Sequence, residues 1–166
     1  GYGPGEVVQV SFGNVDSIAT GIASNDGTFS VVFEVDTQIY ATKTITVSGI
    51  ETQYPAVNTF YIIPEVVSVI PTTGTVGSYV TINGTGYGAN ETINVSFGIT
   101  SNITSSQSSD IGTFIAVFTI DTQYYATKTI SAIGVNTLHT AENRFFITPQ
   151  IVWVSPNSAT VGTIVT

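Results

Sequence analysis

Laid over itself with an offset of 85 residues, so that Gly1-Tyr2-Gly3 falls on Gly86-Tyr87-Gly88, the sequence matches itself to its last residue without a gap. Val10-Ser11-Phe12-Gly13 meets Val95-Ser96-Phe97-Gly98, and Gly27-Thr28-Phe29 meets Gly112-Thr113-Phe114. The longest match pairs Asp36-Thr37-Gln38 and Tyr40–Ile45 with Asp121-Thr122-Gln123 and Tyr125–Ile130. Asn58, Phe60, Ile62 and Pro64 return as Asn143, Phe145, Ile147 and Pro149, and Thr75-Val76-Gly77 returns as Thr160-Val161-Gly162. About half the aligned positions are identical, far beyond chance. A fixed period of this kind means a tandem array of like units, each folding in the same way.

The units read as strands. Val8, Val10 and Phe12 alternate with Gln9 and Ser11, and Ile93, Val95 and Phe97 alternate with Asn94 and Ser96, the period of two that marks a strand with one buried face. Thr28–Val35 and Thr113–Ile120 are strand-length and β-branched, and in Thr42–Val47 the threonines face outward while Ile45 and Val47 face inward. Asn25-Asp26-Gly27 is a tight-turn signal. No segment combines helical periodicity with caps. Short strands separated by turns every ten residues or so predict an all-β chain of tandem immunoglobulin-like β-sandwiches.

Composition narrows the function. Three basic residues, Lys43, Lys128 and Arg144, against a net charge of −8 cannot neutralise a phosphate backbone, so nucleic acid is excluded as a partner. The same shortage argues against an anionic membrane surface, and no apolar run is long enough for membrane insertion. With no cysteine, disulfides, thiol chemistry and Cys-ligated zinc are ruled out. No Gly-x-Ser-x-Gly turn, phosphate-cradling loop or His-Glu-x-x-His helix occurs, so the chain is not expected to be an enzyme. The lone His139 faces Tyr54 in the repeat alignment and reads as a solvated loop residue.

The stretch from Pro71 through Gly74, Gly77, Val80-Thr81-Ile82, Gly84 and Gly86-Tyr87 resembles the opening of IPT/TIG domains, an immunoglobulin-like family, and the likeness covers nearly the whole chain. Gly112-Thr113-Phe114 and Phe145–Pro149 resemble the later elements of such repeats in prokaryotic surface proteins. The resemblance implies an extracellular or cell-surface location. IPT/TIG modules also accompany carbohydrate-active enzymes and Rel-type transcription factors, but the basic DNA-facing loops of the latter are missing here.

Aligned on that opening, the units are out of phase with the chain. Residues 65–149 make one complete immunoglobulin-like repeat, residues 1–64 a repeat lacking its opening strands, and residues 150–166 the opening strands of a further repeat. A sandwich without its opening strands exposes an apolar groove and unpaired backbone donors. Two arrangements remove that cost. The tail of one copy fills the groove of the next by donor-strand complementation, or the units belong to one continuous tandem array. Either builds an extracellular filament or stalk whose partner is itself, because head-to-tail contacts do not close. The expected interface comprises Ile151, Val152, Trp153, Val154, Val161, Ile164 and Val165 on the tail and Val8, Val10 and Phe12 in the groove, with Trp153 as anchor.

Other candidate sites follow from single residues. Asn83, Asn90, Asn94 and Asn102 are glycosylation sequons clustered in the second unit, at strand ends or loops apart from Asn94. Lys43 with Asn58 and Glu6, and Lys128 with Asn143 and Glu91, are the ingredients of a self-formed isopeptide bond, set against snorkelling lysines as the simpler reading. Asp16, Asp26, Asp110, the Asp36/Asp121 pair and the Glu6/Glu91 pair admit calcium only if loops converge, and otherwise no cofactor is expected. Tyr2, Tyr40, Tyr54, Tyr61, Tyr79 and Trp153 offer the rival function, an adhesive or carbohydrate-binding module recognising surface glycans through aromatic faces.

Overall fold

The computed structural model describes all residues from Gly1 to Thr166, and its regular structure consists of strands alone, so the chain is all-β. Strands β1 (Val7–Phe12), β2 (Val15–Ile22), β3 (Ala41–Gly49) and β4 (Ala56–Ile62) form a single antiparallel sheet in the order β2-β1-β3-β4. The alternation read from the sequence places Val8, Val10 and Phe12 on one face of β1, all buried.

The second unit has two sheets. Strands β5 (Glu65–Ile70), β6 (Thr73–Gly74), β7 (Tyr79–Thr85), β8 (Thr92–Phe97), β9 (Thr100–Gln107), β10 (Phe114–Thr119), β11 (Ala126–Gly134) and β12 (Thr140–Ile147) sort into a sheet β6-β12-β11-β8-β9 and a sheet β10-β7-β5. The two face each other across one core. Val66, Val69, Val80, Ile82 and Phe114 from the smaller sheet meet Ile93, Phe97, Ile130, Phe145 and Ile147 from the larger. This is a β-sandwich, the solution by which each sheet buries its one apolar face.

The sheet of the first unit corresponds strand for strand to β8, β9, β11 and β12, with the same registers. Val10 faces Val47 as Val95 faces Ala132, and Ile45 faces Asn58 as Ile130 faces Asn143. What it lacks is the facing sheet. The segment 28–35, expected as a strand, forms none, because its counterpart β10 is held by hydrogen bonds to β7 and no equivalent of β7 lies beside it. The main-chain groups of residues 29–39 make no hydrogen bond at all. Only Val8, Val10 and Val47 form a buried cluster in the first unit, against a cluster of 17 residues in the second.

Residues 150–166 carry no strand either. They fold back on themselves through Ser155 N–H to Thr166 O (2.8 Å) and Thr166 N–H to Ser155 O (3.0 Å), with Thr163 N–H to Thr160 O (3.2 Å) closing the turn. The first two join the positions that correspond to Ile70 and Thr81, which pair in the β5–β7 ladder. The turn between is the same too: Gly77 has φ of 88° and Gly162 of 93°, a left-handed conformation that suits glycine. The tail is therefore a short copy of the β5–β7 opening hairpin with nothing packed on it.

Candidate functional site

The site built by this arrangement is the open face of the first unit. Phe60 is 42% exposed where Phe145 is 1%, Phe29 36% where Phe114 is 3%, and Val35 43% where Ile120 is 1%. The aligned residues are the same, or both β-branched at Val35 and Ile120, so the difference comes from the missing sheet. Val31 and Phe33 cover part of the face, packing on the Val8–Val10–Val47 cluster, and Phe33 lies 5.6 Å from Phe12 between ring centres. This corrects one expectation. Val8, Val10 and Phe12 are already buried beneath that segment and do not line the groove. Phe60, Phe29 and Val35 do, with the unbonded backbone of residues 29–39 along the edge.

A polar group marks the same edge. In the second unit Asn143 donates its side-chain amide to Val66 O at 3.0 Å, tying the opening strand to β12, while its own Oδ1 accepts the Arg144 N–H at 2.8 Å. Asn58 makes the second bond in identical form, to Thr59 N–H at 2.8 Å, but its amide nitrogen has no partner within the chain. The repeated asparagine is thus a clamp for an opening strand, engaged in one unit and open in the other.

On the tail, Ile151, Val152, Trp153, Val154, Val161, Ile164 and Val165 are all exposed. Their counterparts divide them. Val66, Val69 and Val80 are buried, so Ile151, Val154 and Val165 have the inward positions of an opening hairpin. Val67, Val76 and Tyr79 are exposed, which puts Val152, Val161 and Ile164 on the outer face, and Trp153 takes the half-buried position of Ser68.

The acidic and basic candidates have other tasks. Glu91 is buried and accepts the N–H groups of Gly88 (2.6 Å), Asn136 (3.1 Å) and Thr137 (3.1 Å). Glu6 does the same for Gly3 (2.6 Å), Glu51 (2.8 Å) and Thr52 (2.5 Å). A Cβ on Gly49 or Gly134 would stand 2.2 or 2.5 Å from these carboxylates, which explains the repeated glycine there. Lys128 Nζ sits 3.4 Å over the Tyr124 ring, its stem buried, and Lys43 is buried likewise. Because β8 and β11 run antiparallel with Ile93 opposite Gly134 and Phe97 opposite Ile130, Glu91 and Lys128 lie at opposite ends of the sheet, about 25 Å apart. The register of β1 against β3 separates Glu6 from Lys43 similarly. The two isopeptide sets are therefore not assembled, and each glutamate clamps a corner.

The hydrogen bonds to Glu6, the Thr52 hydroxyl first among them, hold its pKa down at about 2 against an ordinary 4.5. A native value below the unfolded one means that the clamp contributes in full above about pH 4.5 and is lost as pH falls toward 2. Protection of the Glu51 and Thr52 amides, measured against their intrinsic exchange rates, should be lost over that window, and Glu6→Gln should lower it at every pH. Asp26 is lowered by bonds from Ser24 and Thr28 in its turn, and burial pushes the Tyr87 phenol up. No three acidic or histidine side chains are grouped to hold a metal ion. Asp36 and Asp121 each accept from a buried glutamine, Gln38 (2.7 Å) and Gln123 (2.8 Å). These two glutamines, which also bond Phe12 O and Phe97 O, are buried polar residues that strand periodicity does not reveal.

Of the sequons, Asn90 is exposed, Asn94 is half-buried on β8, and Asn83 and Asn102 lie within β7 and β9 rather than at strand ends. Asn83 uses its amide nitrogen on Ser68 Oγ at 2.7 Å. The tyrosines do not share one platform. The Tyr2 hydroxyl donates to Val47 O, whereas Tyr40 and Tyr61 stack edge to face 5.1 Å apart and hold His139 of the second unit between units, with Tyr40 and His139 rings 4.3 Å apart. His139 is thus a junction residue, half-buried, and not a solvated one.

No protein-family model and no curated protein matches the sequence. Among solved structures the chain is similar to a biofilm-associated protein's BSP domain, at 17% identity and TM-score 0.34, over 88% of this chain and 25% of that one. It is also similar to a fungal alcohol oxidase with copper (12% identity, TM-score 0.35, 82% of this chain and 37% of that). A third likeness is to the Parabacteroides merdae β-glucuronidase (7%, 0.31, 84% and 21%). The chain thus spans about a quarter to two fifths of the length of the first two.

Proposed function

We propose that the chain is a structural, non-catalytic component of an extracellular filament or surface stalk, built of IPT/TIG-like units joined head to tail. The observation that carries this reading is the unequal closure of two like units. One has its opening hairpin and a full core; the other exposes the same core positions, and a spare copy of the hairpin lies unpacked at the far end. Burying Ile151, Val154 and Val165 against Phe60, Phe29 and Val35 contributes about 1.5–3 kcal/mol for each side chain. Main-chain pairing along residues 29–39 adds direction and register. Three basic residues against eleven acidic ones fit a reading with no nucleic-acid partner.

Hydrogen exchange read beside electron microscopy tests it. In the dispersed chain the amides of residues 29–39 exchange at nearly the free rate, and in assembled fibres they become protected. A chain that stays monomeric at every concentration, with that segment unprotected, and native material without fibres would contradict the reading. A denaturing mass of native material separates its two forms: a mass of only a few repeats for strand-donated subunits, a far larger value for a continuous array.

A further inference from the structure

We infer that the junction between successive copies reproduces the junction inside this chain, with the Tyr125–Phe146 pair receiving Tyr54 of a second copy and the pocket beside it receiving that copy's Gly1–Tyr2 corner. The inference rests on the head-to-tail reading and names the surface by which it would be made.

Inside the chain, the second unit docks on the end of the first through three contacts. Tyr40 N–H donates to Tyr87 O at 2.9 Å. Tyr40 and Tyr61, perpendicular at 77°, grip His139. Gly112 lets Ile39 close in, since a Cβ there would lie 3.1 Å from the Ile39 Cα. Every member has a counterpart at the free ends. Tyr125 and Phe146 hold the same edge-to-face geometry as Tyr40 and Tyr61, with centres 5.2 Å apart at 78°, and grip nothing. Tyr125 N–H makes no hydrogen bond, and Tyr2 O accepts none. The corner carrying Tyr2 O is already formed, because Tyr2 N–H donates to Gly27 O at 3.1 Å as Tyr87 N–H does to Gly112 O. Gly27 leaves the same open approach for Tyr124 that Gly112 leaves for Ile39. Tyr54, aligned with His139, is almost wholly exposed.

The cavities agree. Inside the chain, Gln38 and Ile62 border a space of about 200 Å³ whose other wall is Gly86 and Thr85 of the second unit. At the free end their counterparts Gln123 and Ile147, with Tyr125 and Val76, border one of about 540 Å³. Gln150 and Val152 of the tail border it too, and Gly1 of another copy takes beside it, by the repeat, the place that Gly86 takes beside the smaller space. The occupant is thus a second copy, because the residues that fill the site within this chain recur, unused, at its other end.

Tyrosine photo-oxidation tests it, since dityrosine forms only between rings in contact. Tyr54 and Tyr125 lie at opposite ends of the chain, so any link between them joins two copies, and a Tyr40–Tyr61 link serves as the internal control. The expected result is a Tyr54–Tyr125 cross-linked peptide in assembled material, absent from the dispersed chain and lost in Tyr125→Phe, which removes one of the two phenols. Phe146→Ala should weaken assembly about tenfold. Fibres whose copies cross-link elsewhere would overturn the junction and leave the head-to-tail function standing. A chain that neither assembles nor cross-links between copies would overturn both.

Discussion

Phe145→Ala should cost the dispersed chain about 3–5 kcal/mol, whereas Phe60→Ala, the same change at the same strand position, should cost about 1 kcal/mol. Phe145 is closed in from both sheets and packs on Phe97 at 5.8 Å, so truncation leaves a cavity in a formed core. Phe60 touches Phe12 at 5.6 Å but faces outward past it, so truncation removes one aromatic contact and opens no cavity. On assembly the two costs should converge, because an opening hairpin laid over Phe60 recreates the Phe145 environment. Residue-resolved exchange in β3–β4 and in β11–β12, with and without assembly, reads both numbers. Equal costs in the dispersed chain would mean that the first unit is closed by some means other than a second copy's hairpin.

Val154→Asp and Val165→Asp should each weaken head-to-tail assembly at least a hundredfold, or abolish it. Their counterparts Val69 and Val80 lie inside the core of the second unit, and a carboxylate buried there without a partner costs several kcal/mol, while about 2.7 kcal/mol already makes a hundredfold. Ile164→Asp is the control. Its counterpart Tyr79 faces solvent, so assembly should be unchanged. All three variants should leave melting of the second unit where it was, because residues 150–166 take no part in that core. Sedimentation of the three variants at matched concentration gives the comparison. Loss with Ile164→Asp and none with Val165→Asp would reverse the facing assigned to the tail.

The repeat made the strand pattern and the inward positions of β1, β3 and β8 readable from the sequence, since side-chain alternation along a strand is a local property of the chain. The buried polar clamps were less legible. Glu6 and Glu91 stood out as repeated acids, each just ahead of an alternating strand, but their partners Thr52 and Thr137 lie 46 positions away, and only the fold brings them together. The Lys–Asn–Glu sets failed for the same reason: sequence recurrence gives composition, and strand direction decides distance. His139 looked solvated because nothing local says that a second unit sets it against Tyr40 and Tyr61.

By itself, the sequence determined that this is an all-β chain that repeats itself at a fixed period, and what lies on the faces of its most regular strands. Tertiary structure alone decided that residues 28–35 remain without ladder bonds although they are as β-branched as β10, because a strand is held by the neighbour it pairs with and not by its own residues. The same nonlocal requirement leaves Phe60 and Asn58 facing an empty place where Phe145 and Asn143 meet β5 and its sheet.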